Sequence, residues 1–122
     1  MDIRELKMDE VEFILEFEEE HIPVRGNVCA SGDDEFDKQE EDKIIERLEN
    51  GDYFAWCCVH MIARWEGFEG HDYLGGYTYK DEDDFKQEGG YYEDMKVQAL
   101  SDLNQRIHDM AMRILKLEEI AK

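Results

Sequence analysis

Basic residues are scarce in this chain. Across 122 residues, 14 Lys and Arg stand against 33 Asp and Glu, giving a formal net charge of -19 and a pI near 4.4. A surface of that sign repels DNA, RNA and anionic membranes, so the partners it favours are basic protein surfaces. Long apolar runs are missing too. No stretch approaches the roughly 20 residues that span a bilayer, and the first residues lack the basic-then-apolar pattern of a secretory signal. Cysteine is confined to Cys29, Cys57 and Cys58, which do not form the disulfide framework of a small secreted domain. A reducing cytoplasm is the expected compartment. No linker, low-complexity tract or internal repeat divides the chain, so residues 1–122 are expected to form one domain. A phosphate loop is also absent: the glycines at 67, 70, 75 and 76 are not followed by the Lys-Ser/Thr pair that holds phosphate and metal.

What is present can fold. Hydrophobic residues make up 42% of the chain and include six Phe, six Tyr and two Trp. Their patterning sets the chain apart from an acidic disordered segment. Residues 9–21 read as a first helix, with Asp9 and Glu12 as a capping box, an apolar stripe of Val11, Ile14, Leu15 and Phe17, and a stop near Pro23. Residues 24–35 read as a loop in which Val28, Cys29 and Ala30 dip toward the core. A second helix is expected over 34–50, burying Phe36, Ile44, Ile45 and Leu48 and ending at Asn50-Gly51. Alternation from Tyr53 to Trp65 marks a strand with one wholly apolar face. A hairpin loop over 66–72 then leads to a returning strand over 73–79. A short turn capped by Asp81 carries Phe85 inward and is broken at Gly89-Gly90. Residues 93–121 form the strongest helix, with Leu100, Leu103, Ile107, Met110, Ile114, Leu117 and Ala121 spaced three and four apart. The expected fold is therefore α+β: two N-terminal helices, a small antiparallel sheet built on a central hairpin, and a long C-terminal helix packed on it. A third strand near 3–6 or 91–95 would strengthen the sheet.

Chemistry is hard to find in the pattern. Cys57 and Cys58 are adjacent on a strand and point to opposite faces, so they cannot clamp one metal. Cys58 and His60 share a face, but two donors are not a site, and His71 and Asp72 lie in the hairpin loop. The acidic clusters at 33–37 and 81–84 lack calcium-loop spacing. A thiol on an aromatic strand reads as a small hydrophobe rather than a nucleophile. With 33 acids, carboxylate pairs are inevitable and no single pair is informative. No catalytic residue, cofactor or metal is expected.

The acid itself is the remaining lead. Glu16, Glu19 and Glu20, then Asp33, Asp34, Asp37 and Glu41, then Asp81, Asp83 and Asp84, are expected to face a basic partner. Trp65, Phe68 and Glu69 are expected to add aromatic anchoring at a loop tip. The sharpest form of this reading is DNA mimicry, in which carboxylates at phosphate-like spacing block the groove of a nucleic-acid-binding protein. The stretches Gly26-Asn27 through Asp33-Asp34, Phe54-Ala55-Trp56, Gly67-Phe68-Glu69-Gly70, Tyr73-Leu74-Gly75 and Gly90-Tyr91-Tyr92-Glu93-Asp94-Met95 resemble small acidic proteins of phages and other mobile elements. That resemblance implies a mobile-element role and carries no catalytic residue. The alternatives are a homodimer or larger homo-oligomer joined through the 100–121 seam or a strand edge, and a small enzyme using carboxylates.

Overall fold

The structure is a computed structural model that describes residues 3–28, 30–87 and 90–121. Cys29 and Gly89 lie outside the described residues, as does the side chain of Ala121. The fold is α+β, with a three-stranded antiparallel sheet and a long C-terminal helix. The elements in order are β1 (Glu12–Glu19), α1 (Asp34–Glu49), β2 (Cys57–Trp65), β3 (Phe68–Tyr77), α2 (Glu82–Phe85) and α3 (Tyr92–Ala121). Short 3-10 turns at Met8–Glu10 and Tyr53–Ala55 precede β1 and β2. The strands lie side by side as β1-β2-β3.

Residues 9–21 do not form the expected helix; their centre is β1. Both periods are present in this segment, and the period of two wins. Phe13, Leu15 and Phe17 alternate with Glu12, Ile14, Glu16 and Glu18. Aromatic and β-branched residues suit a half-buried pleated surface better than they suit a helix. β1 is thus the third strand, supplied neither by residues 3–6 nor by 91–95, the latter of which begin α3. The hairpin between β2 and β3 is also tighter than expected. Glu66 and Gly67 both take positive φ, 47° and 81°, as a two-residue type I′ connection requires. β3 therefore starts at Phe68, and Tyr53–Ala55 is a turn rather than the first residues of β2.

Packing divides the chain into two compact units. In one, made of residues 1–15, 61–72 and 93–122, α3 lies directly on the hairpin. A Cβ at Gly70 would fall against the backbone of Leu103 and Ala99, so helix and strand touch main chain to main chain. Asp102 accepts the His71 N–H at 2.8 Å, and Asn104 bonds both the N–H and the carbonyl of Leu6. In the other, made of residues 16–60 and 73–92, Ile44, Ala55 and Trp56 form a small core with Val24, Val28 and Leu48. The Trp56 indole donates to the Ile22 carbonyl at 2.7 Å. Phe85 is ringed edge-on by Phe17, Tyr79 and Tyr92. Phe36, expected on the buried side of α1, is exposed. The inward face of β2, Cys57, Val59, Met61 and Ala63, is fully buried as its alternation predicts.

Candidate metal centre

The opposite face of β2 carries Cys58, His60, Ile62 and Arg64. β1 is its edge neighbour, and Glu16 and Glu18 stand two apart on β1, on one side of the strand. Both carboxylates reach His60. Nδ1 of His60 lies 3.7 Å from Glu16 Oε2 and 3.5 Å from Glu18 Oε1. The three donor atoms all fall within 4.8 Å of one another. His60 is 7% exposed, while both glutamates are about half in solvent. The His60 ring is stacked on Tyr73 of β3, with centroids 4.2 Å apart and planes 13° from parallel.

Those separations are longer than a hydrogen bond. They are close to the distance of about 3.3 Å between neighbouring ligands of a tetrahedral ion bound at 2.0–2.2 Å. The donor set is suited to the same end. Two carboxyl groups and an imidazole together offer a divalent cation oxygen donors and one nitrogen. The buried ring and the Tyr73 stack hold the nitrogen donor still, and the half-exposed glutamates leave the outer side open to water. Among the described residues this is the one such group of three.

Two neighbours on the same face stay out of the cluster. The Cys58 thiol is held above its ordinary value by burial, then by the charges of Glu20 and Glu18, which disfavours the thiolate, and it is not among the three clustered donors. Glu20, next in the row after Glu16 and Glu18, turns away to accept the Gly76 N–H at 2.7 Å and the Ile22 N–H at 3.1 Å. No family model matches the chain, and neither does any curated protein or solved structure. The site's own geometry therefore carries the functional argument.

Of the residues expected to face a partner, Glu16 belongs to this cluster and many of the others are engaged in holding the fold. Asp33 caps α1, accepting the N–H groups of Glu35 and Phe36. Asp37 accepts from the Ser31 hydroxyl at 2.7 Å. Glu41 is buried, bonded to Arg25 and to the Gly26 N–H at 2.6 Å, and so is removed from the surface. Asp81 caps α2, and Asp84 accepts the Lys80 N–H. Glu69 pairs with Arg64 across the hairpin, and Trp65 and Phe68 are half-buried and stacked on each other. Glu19, Asp34 and Asp83 are exposed.

Sequence reasoning left Glu18 among the acids facing water or a partner and did not join it or Glu16 to His60. On a helix, residues two apart point about 200° from each other and could not converge. The alternation of Phe13, Leu15 and Phe17 was the signal that would have placed both acids on one face.

Proposed function

We propose that this protein binds a divalent transition-metal ion through Glu16, Glu18 and His60, with Zn²⁺ the ion best matched to the donors. The convergence of three donors from two strands carries this reading, with the nitrogen donor fixed by burial and stacking. Imidazole with carboxylate suits Zn²⁺ better than Mg²⁺ or Ca²⁺, which prefer oxygen alone. Three protein ligands leave a fourth position, as in open rather than structural zinc sites. An ion held there lowers the pKa of its bound water, which links the metal reading to a small carboxylate-using hydrolytic enzyme. The net charge of -19 raises the local concentration of cations around the site.

The docking of a basic partner, with DNA mimicry as its extreme, rests on net charge. It draws less support, because Asp33, Glu41, Asp81 and Asp84 serve caps and turns. Among the described residues no helix is long and apolar enough to cross a membrane.

The test is calorimetric titration of metal-free protein with Zn²⁺ at pH 7 in about 0.15 M salt, where diffuse surface attraction is screened. One site of micromolar affinity or tighter is expected, weakened at least tenfold in Glu16→Gln and in Glu18→Gln. Both side chains are half-exposed, so neither change threatens the fold. Zn²⁺ affinity unchanged in the double variant would mean that the acid binds cations only as a cloud.

A further inference from the structure

α3 is about 45 Å long, and only part of it is covered. Met95, Ala99 and Leu103 are buried, and Leu100 and Ile107 half-buried. Farther along, Ala111 stays buried and Leu115 half-buried, while the other apolar residues come out into solvent. Exposure runs from 39% at Met110 through Met112, Ile114 and Leu117 to 76% at Ile120. The spacing does not change where the covering ends. Leu103, Ile107, Met110, Ile114 and Leu117 continue one three-four seam, with Ile at the first core position of each heptad and Leu or Met at the second.

From these observations we infer that the C-terminal half of α3 pairs antiparallel with the same segment of a second copy. Charge selects the occupant. Residues 101–122 contain four acidic and four basic side chains, whereas the first 100 residues carry the whole net charge of -19. Two copies meeting elsewhere would bring like charge together; here they do not.

Direction follows from the sheet. Gly70 of β3 lies against the backbone of Ala99 and Leu103, so the upstream part of the seam is already filled. A parallel partner would need its own covered stretch, sheet included, to lie alongside that filled part. A reversed partner keeps its own covered stretch away from this one and meets the exposed Met110, Ile114 and Leu117. Ile114 then packs on Leu117 of the partner subunit. Arg113 and Lys116 precede Glu118 and Glu119 along the helix, so reversal sets each basic band level with the partner's acidic band. The inference is independent of the metal proposal, since none of the three ligands lies on α3.

The test is sedimentation velocity over roughly 5–500 µM protein. The mass is expected to rise from the 14.5 kDa monomer toward twice that value. The rise should strengthen between about 0.05 and 0.5 M salt, because salt screens the mutual repulsion of the bodies and leaves the apolar seam intact. Ile114→Glu/Leu117→Glu, at two exposed positions, should stay monomeric with an unchanged circular dichroism spectrum. Met110→Cys checks direction, because in the antiparallel arrangement the two copies of residue 110 lie far apart and no added disulfide dimer should form beyond the wild-type background. A monomer at every concentration and salt, a dimer indifferent to the double substitution, or efficient linkage through Cys at 110 would each overturn the inference.

Discussion

Glu16 and Glu18 stand two apart on β1 and Glu20 follows just past its end, yet only the first two turn to His60. Gly75 helps to set the difference, since a Cβ there would collide with the Glu20 carboxylate, which is tied instead to the Gly76 N–H. On the buried side of β2, burial pushes the Cys57 thiol from its ordinary 9.0 up to about 11, with Cys58 and Glu20 adding to the rise. Burial likewise pushes the Tyr79 hydroxyl up to about 12. A group that holds its proton more tightly when folded contributes stability that is complete below its unfolded pKa and is lost as pH climbs to the folded value. The guanidinium midpoint for unfolding should therefore be level to about pH 9 and fall between about 9 and 11, as Cys57 gives up its proton. Cys57→Ala should flatten that part of the fall, leaving the later loss from Tyr79. An identical alkaline profile in the variant would remove Cys57 from the explanation.

At the scale of elements, α3 touches β3 where no side chain intervenes. Gly70→Ala would push a methyl into the helix backbone at Ala99 and Leu103, which cannot yield as a flexible side chain could. Overpacking of this kind costs about 1–3 kcal/mol, and the rigid neighbour favours the upper end. Chemical denaturation should show that loss; a variant within about 0.5 kcal/mol of wild type would mean that the helix can lift away freely. The elements differ in how openly the sequence announces them. α1 has its Asp33 cap and Asn50-Gly51 end, α2 its Asp81 cap, and α3 a long seam, so propensity, caps and periodicity all agree there. β2 is announced by nine residues of alternation. β1 is not, because Val11, Ile14 and Leu15 imitate a helical stripe and Asp9 with Glu12 imitates a capping box. Pairing with β2 decides the matter, and pairing is a non-local fact. The metal centre inherits that ambiguity. Its residues are visible in the sequence, but their convergence exists only once β1 is a strand beside β2.

Over the whole molecule, the acid has several duties rather than one. Carboxylates cap helices, receive turn N–H groups, pair with Arg25, Arg47, Arg64 and Arg106, and keep the edge strand β1 charged against sheet-to-sheet aggregation. Two of them, with His60, form the cluster that we propose as the functional centre. That proposal is tested most directly by diffraction from crystals grown with one equivalent of Zn²⁺, recorded on both sides of the zinc absorption edge. The expected result is a single strong anomalous peak about 2.0–2.2 Å from His60 Nδ1 and from one oxygen of each of Glu16 and Glu18. Zinc scattered over surface carboxylates, with no peak beside His60, would contradict it.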